Sequence, residues 1–419
     1  MASMQTVPAY DLRISIQGTQ PEIWRRLLLP ETITIPQFHD AIQRAFGWQD
    51  RHLYGIRCLD RNGEPRVIVG PDEAAEDVDA ELASGVVLFE LIDALRTGPA
   101  DFEYEYDFGD TWTHKVELVE SGLCPEGTIT CVEGANRGPV EDSGGPHGYR
   151  RLAKILADEN HPEFYDAATW FEGVTGERAR AFDVGAFDLD VVNRRLGRLS
   201  LQLWPRPLTP AERDAVLRPI MWFLENSAGE GQELTKDGYL KPAMVRRTLD
   251  ELGWHDAIMG KGNRELNAKD VLNLRLHLLD WKLLRKRNGR MVLGPMGKVG
   301  LAEPDKLWGH MVETIGAPQN DALKLMTRLA AHWLVQGFAP SYTLRDKVIL
   351  SALEAAGFTT RSGDPIPESW AWDIDRTVRE SLDCLQLTVP APRFRLTEKD
   401  LTDGGLKFLL QVQALLEDR

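Results

Sequence analysis

Phe102-Glu-Tyr-Glu-Tyr-Asp-Phe-Gly-Asp-Thr-Trp-Thr-His-Lys-Val-Glu-Leu-Val-Glu120 alternates apolar and polar side chains on both sides of a Gly-Asp turn. In a strand every second side chain shares a face. Phe102, Tyr104, Tyr106 and Phe108 therefore line one face, and Trp112, His114, Val116 and Leu118 line one face of the next strand. The stretch predicts a β-hairpin. A two-residue loop would set Thr111, Lys115 and Glu117 against the aromatics. A three-residue loop, Gly109-Asp110-Thr111, pairs Phe108 with Trp112, Tyr106 with His114 and Tyr104 with Val116. It also sets Glu105 opposite Lys115, so both faces are satisfied, and this is the expected register.

Working outward, Asp11–Gln17 alternates as a strand, with Leu12, Ile14 and Ile16 on one side. Phe38, Ile42 and Phe46 recur at helical spacing between Pro36, suited to a first turn, and Gly47, suited to an end. His52–Leu59 is expected as a strand and Leu88–Leu95 as a short helix. Three helices are expected after a Gly/Pro-rich loop: Tyr149–Ala157, Pro162–Phe171 and Leu189–Leu199. Residues 8–200 thus predict an α+β domain, a mixed sheet containing the antiparallel hairpin, with helices gathered later.

Leu203–Thr209 holds two prolines, with Pro210 directly after it, and is the expected boundary. A mainly α half follows, over 201–419. Thr209-Pro-Ala-Glu212 reads as a capping box with Pro at the first helical position. Helices are expected at Pro242–Leu252, ended by Gly253, and at Ala268–Leu284, capped by Asn267. Leu284–Leu293 turns at Asn288-Gly289, the strongest short hairpin signal. Helix, helix, hairpin is the order of a winged helix, expected around 236–312. A weak repeat, Arg290–Gly297 against Arg393–Asp400, suggests a second unit around 345–415.

The chain has 419 residues and a net charge of −15. Its length calls for at least two domains, and 43% hydrophobic residues are too many for a disordered chain. Charge is uneven. Residues 1–200 hold 19 Lys and Arg against 35 Asp and Glu, and residues 201–419 hold 30 against 29. Residues 236–298 hold 14 against 7, a balance of +7. The first half is repelled by nucleic acid, so 236–298 is the electrostatic candidate for DNA contact, through Arg246, Arg247, Lys282, Arg285, Lys286, Arg287 and Arg290. A solvated helical surface accounts for the same charges, and another protein is the alternative partner. No apolar run reaches membrane-span length. Four scattered cysteines and an unremarkable Met1–Tyr10 lead to an expectation of a reducing cytoplasm.

Tyr104-Glu-Tyr-Asp-Phe-Gly-Asp-Thr-Trp-Thr-His114 resembles the Tyr-Asp-Phe-Gly-Asp-x-Trp-x-His signature of the family named after the third open reading frame of a root-inducing plasmid. That family is also grouped with TnpR-like passenger proteins of insertion elements. Pro21-Glu-Ile-Trp-Arg-Arg26, Phe38-His39 with Ile42-Gln43 and Gly47-Trp48, and His52-Leu53 resemble its further blocks in order. So do Pro139-Val-Glu-Asp-Ser-Gly-Gly-Pro-His-Gly-Tyr149 and Asn193–Leu196. The resemblance covers roughly residues 8–197 and departs at Val140 and in Thr175–Arg180. It implies an α+β domain associated with plasmids and transposable elements, and no established reaction.

Five side chains, Asp107, Asp110, His114, Glu141 and Asp142, could form a ligand or metal site. Oxygen ligands with one imidazole suit a divalent metal, the one cofactor considered. The bland reading is that Asp107 and Asp110 bind turn amides and His114 is a core histidine. Trp24, Tyr104, Tyr106, Phe108, Gly109, Trp112, Gly144 and Gly145 read as structural, with Trp24-Arg25-Arg26 packing in the core and the Gly144-Gly145 loop folded onto the Trp112 strand. Two functions follow. One is a binding protein with a ligand-binding first half and a DNA-binding second half. The other is a metal-dependent hydrolase acting on nucleic acid, favoured if at least three of the five side chains converge within metal-ligand reach.

Overall fold

A computed structural model describes residues 5–60, 62–71, 80–95, 101–254, 264–337, 342–360, 362–389 and 401–417. The chain divides into two compact units, Met1–Arg206 and Pro207–Arg419.

The first unit is built on β1 (Thr6–Ile16), β2 (Ile23–Pro30), β3 (Tyr54–Leu59), β4 (Pro65–Val69), β5 (Glu81–Leu82), β6 (Asp101–Tyr106), β7 (Trp112–Pro125) and β8 (Thr130–Ala135). They form one sheet in the order β5-β4-β3-β6-β7-β1-β2-β8. Neighbours are antiparallel except β4 and β5. Helices α1 (Ile35–Phe46), α2 (Leu88–Ala94), α3 (Gly145–Leu156), α4 (Phe164–Thr175) and α5 (Leu189–Leu203) complete it. Helix α1 starts at a capping box of Thr34 and Gln37, has a proline in its first turn and ends at Gly47 in the left-handed region. Leu12, Ile14 and Ile16 of β1 join Phe38, Ile42 and Phe46 of α1, Tyr104, Trp112 and Val116 in one core. Polar side chains between these strands are paired. Arg26 donates to both oxygens of the buried Asp11 at 2.7 Å, and Arg13 pairs with Glu22.

The hairpin forms, but two residues away from the expected register. Tyr106 lies opposite Trp112, Tyr104 opposite His114 and Phe102 opposite Val116. Lys115 faces Glu103, while Glu105 faces Thr113 and pairs with Arg57 instead. The loop is five residues long. One Asp107 carboxylate oxygen accepts the amides of Gly109 (3.0 Å) and Asp110 (3.2 Å), and the Thr111 amide donates to the Asp107 carbonyl at 2.7 Å. Those side-chain bonds stabilise a wider turn than the pairing argument allowed. A slip of two keeps every side chain on its face, so the aromatic face is as expected while the partners are not. Phe108 leaves the pairing and is exposed, its ring resting over Gly55.

Three element bounds also move. The strand expected from His52 begins at Tyr54. Helix α3 begins at Gly145, four residues before Tyr149, and α4 runs over Phe164–Thr175. Trp24 is only half-buried, beneath the Arg13 guanidinium, whereas Arg25 is the buried member of its trio. The Arg25 guanidinium donates to the carbonyls of Ala45, Ala135 and Asn136.

The second unit is mainly helical: α6 (Pro210–Asn226), α7 (Pro242–Leu252), α8 (Lys269–Asp280), α9 (Pro295–Ala302), α10 (Pro304–Gly316), α11 (Asp321–Gln336), α12 (Tyr342–Ala355), α13 (Glu368–Leu382) and α14 (Asp403–Glu417). Strands β9 (Gln232–Glu233), β10 (Leu284–Arg287) and β11 (Arg290–Leu293) form a small sheet in the order β10-β11-β9. The Thr209/Glu212 capping box and the Gly253 helix end are present. The hairpin turns at Asn288 (φ 50°) and Gly289 (φ 69°), as an Asn-Gly two-residue loop requires. Helix α8 is shorter than expected, because the chain leaves it at Asp280 to enter β10, and Ala268, not Asn267, stands at its cap. The short segment proposed for a second repeat, Arg393–Asp400, lies outside the described residues. Among those described, no helix is long and apolar enough to cross a membrane.

Candidate functional site

Because Tyr106 ends β6, the next residue, Asp107, stands at the rim of the sheet beside the segment that enters β3. The Asp107 amide donates to the Leu53 carbonyl at 3.0 Å, which holds the hairpin loop against His52. The loop after β8 arrives on the other side. Asp110 accepts the Gly144 amide at 2.8 Å, and Trp112 stacks edge-on against Tyr149, with ring centroids 6.4 Å apart. Gly144 and Gly145 both have positive φ, and a Cβ on Gly145 would come within 2.5 Å of the Asp110 carbonyl oxygen. This approach needs glycine.

Three carboxylates thereby surround one imidazole nitrogen. His52 Nε2 lies 3.0 Å from Asp142, 3.5 Å from Asp107 and 3.7 Å from Glu141. One potential ligand atom each from His52, Asp107 and Asp142 lies within 4.8 Å of the others. Glu141 is buried, and burial pushes its carboxyl pKa up. One of its oxygens, Oε1, accepts the Gln49 amide (2.7 Å) and the Tyr106 hydroxyl (3.0 Å). The Tyr106 hydroxyl in turn accepts the Arg51 amide at 2.9 Å. Burial and the neighbouring Glu141 both raise the Tyr106 phenol, so it stays a donor. The Arg51 guanidinium stands 3.6 Å from Asp142.

Of the five side chains expected to form a site, Asp107 and Asp142 come within metal-ligand reach of each other, and Glu141 stands beside them, 3.7 Å from His52, without joining that group. Asp110 is spent on Gly144, and His114 does not join them. His114 is fully buried, where its Nδ1 faces the Trp112 carbonyl at 2.9 Å and its Nε2 faces the Trp48 indole N–H at 3.2 Å. These partners require the neutral tautomer protonated at Nδ1. His52 takes the place expected of His114. Its position just before β3 was legible, but its proximity to a loop some 55 residues onward depends on β3 pairing with β6.

Desolvation pushes the His114 pKa down to about 4, from an ordinary 6.5. As pH falls below 6.5 the unfolded chain takes up this proton first. Stability from this group is therefore complete above pH 6.5 and declines between about 6.5 and 4, by roughly 3 kcal/mol. Urea titrations of wild type and His114→Phe across that window should show a shallower pH slope in the variant. Equal slopes would mean that folding leaves the proton affinity of His114 unchanged.

The cationic residues of the second unit behave unequally. Arg290 is bound within the fold, donating to the Glu230 carbonyl at 2.7 Å and pairing with Glu233 at 3.4 Å. Arg247 lies over the Trp222 ring. Arg246, Lys282, Arg285, Lys286 and Arg287 are exposed. Among the described residues the side chains of Arg285, Lys286 and Arg287 form no ion pair or hydrogen bond. The outward side of α8 carries Lys269, Leu276 and Asp280, a single cation in place of a run.

A family model described as plasmid pRiA4b ORF-3-like protein matches residues 8–191. The uncharacterized protein y4hQ of Sinorhizobium fredii is 34% identical over 167 residues, which cover 38% of this chain and 78% of that relative. The crystal structure of MM3350, a protein of unknown function from Methanosarcina mazei Go1, is similar at 31% identity over 44% of this chain and 96% of that one, with a TM-score of 0.38. The family-model match falls on the half that carries the Asp107–His114 hairpin and the Glu141-Asp142 loop, and with the y4hQ relative it shows that the chain belongs to the plasmid pRiA4b ORF-3-like family.

Proposed function

We propose that the protein is a DNA-binding member of this plasmid-associated family, and that the β10–β11 hairpin of its second unit makes the contact. The observation that carries this reading is the row Arg285-Lys286-Arg287, exposed and unpaired among the described residues on a hairpin tip. Element order supports it. Helix α6, strand β9, helices α7 and α8 and the β10–β11 hairpin follow one another, with β11 central in the sheet, as in a winged helix. Lys282 and Arg246 are further exposed cations of this unit, whereas Arg290 is committed to Glu230 and Glu233 and drops out of the set.

Chemistry decides the kind of contact. Guanidinium and ammonium groups on an exposed hairpin suit phosphates, which position a protein without reading sequence. The side chains that α8 turns outward supply no cationic set for base edges. Binding should therefore be nearly sequence-independent and strongly salt-dependent. A fluorescein-labelled duplex titrated with the full chain should show anisotropy rising at low ionic strength and lost at high ionic strength. Changing Arg285, Lys286 and Arg287 together to Ala should lower the salt slope by about three units, one per phosphate contact. No binding at low ionic strength, or a triple variant with the wild-type slope, would count against the reading.

A further inference from the structure

We propose that His52, Asp107 and Asp142 bind one divalent transition-metal ion, of the zinc or manganese class, with the buried Glu141 carboxylate facing it from behind His52. Three carboxylate groups stand within 3.7 Å of one imidazole nitrogen. Like charges brought this close disfavour one another unless a cation, or a proton on the imidazole or on a buried carboxyl, lies between them. Arg51 offers a single positive charge, and it stands on the Asp142 side.

The Glu141 side chain supplies an independent observation. It is 2% exposed, and its Oε1 is fully used by Gln49 and Tyr106. Its other oxygen, Oε2, is buried without a hydrogen-bond partner and points toward His52, 3.7 Å from Nε2. An unsatisfied buried carboxylate oxygen costs several kcal/mol in general, and a facing cation satisfies it. Tyr106 and the Gln49 amide then act on this carboxylate from behind, fixing which oxygen faces inward. Asp107 is held the same way, since Oδ1 binds the Gly109 and Asp110 amides while Oδ2 faces His52. Ligands oriented by their own hydrogen bonds are what a metal centre requires.

The spacing agrees. Ligand atoms about 2.0–2.2 Å from one ion stand about 3.0–3.6 Å apart when adjacent. The distances from His52 Nε2 run from 3.0 to 3.7 Å, and the ligand atoms of His52, Asp107 and Asp142 lie within 4.8 Å of one another. One imidazole among oxygens favours zinc, iron or manganese over calcium and magnesium, which prefer all-oxygen shells. The Asp142 side chain is 48% exposed and that of His52 is 28% exposed, so the cluster opens to solvent on one side. That side would admit water or a ligand oxygen, in contrast to a closed structural site.

The test uses the full chain, stripped with a chelator and dialysed against zinc, manganese or magnesium chloride. Elemental analysis should find one zinc or manganese ion per chain and no stoichiometric magnesium. His52→Ala and Asp107→Asn should each weaken binding at least tenfold. Asn at 107 retains an oxygen for the turn amides, so this variant tests the ligand without removing the loop's support. Glu141→Gln likewise keeps an acceptor for Gln49 and Tyr106, and it should weaken binding while the thermal transition of the metal-free protein stays intact. The proposal is overturned if wild type holds no stoichiometric zinc or manganese, if magnesium binds equally well, or if all three variants bind as wild type does.

Discussion

Replacing Trp112 with Ala will destabilise the first unit by about 3–5 kcal/mol, the usual cost of removing a large buried aromatic. The indole is fully buried at the start of β7. It touches Trp48 (ring centroids 5.2 Å apart) from the segment after α1 and Tyr149 (6.4 Å) from α3, so it joins three parts of the chain. None of these neighbours can collapse into the space without moving a strand or a helix. For a unit of about 200 residues the loss corresponds to a fall of roughly 6–20 °C in its melting transition. Calorimetry of wild type and variant checks this, with near-UV circular dichroism reporting whether the aromatic cluster melts with the rest. A transition unchanged within error would show that Trp112 does not support the fold.

A comparable effect is expected in the second unit from a buried ion pair. Glu265 and Arg275 are bonded to each other, and their side chains are 0% and 3% exposed. The second Glu265 oxygen accepts the Leu240 amide at 2.7 Å, tying the start of α7 to the turn before α8. Arg275→Met should cost about 3–5 kcal/mol, because it leaves a carboxylate buried without its partner. Glu265→Gln keeps an acceptor for Leu240 but strands the guanidinium, so it should cost a similar amount. The double variant Glu265→Gln/Arg275→Met should recover much of the loss, since neither charge is then left alone. Urea unfolding of the four proteins forms a double-mutant cycle. Additive losses would show that the two residues act independently and that the pair is not the source of the effect.

The candidate site shows where local reading stops. Asp107, Glu141 and Asp142 were recognisable from residue type and from the loops around them. Their meeting point was not. It depends on β3 lying beside β6, which carries His52 to the hairpin loop, and on the Gly144-Gly145 approach, which carries the second loop to the first. His114 was the more conspicuous imidazole because it shares a motif with Asp107 and Asp110. The same alternation that made it conspicuous also turns it into the apolar face, where Trp48 and Trp112 satisfy it. The basic segment divides for a similar reason. Charge counting treats Arg285 and Arg290 alike, but β9 brings Glu233 opposite Arg290 and nothing comparable beside Arg285.

The elements and faces set by neighbours a few residues apart were determined by the sequence alone. Pro36 and Gly47 bound α1, Asn288-Gly289 turns the hairpin, and alternation puts Tyr104, Tyr106 and Trp112 on the core side. These follow from backbone preference and side-chain period, which act within one turn or one strand. The motif blocks likewise carried the family. Tertiary structure alone decided the two-residue slip in the β6–β7 register, the burial of Arg25 in place of Trp24, and the entry of His52 into the cluster. Each depends on contacts between segments far apart in the chain. A slip of two leaves the period unchanged, so alternation cannot detect it, and the choice falls to the hydrogen bonds of Asp107 and the pairing of Glu105 with Arg57.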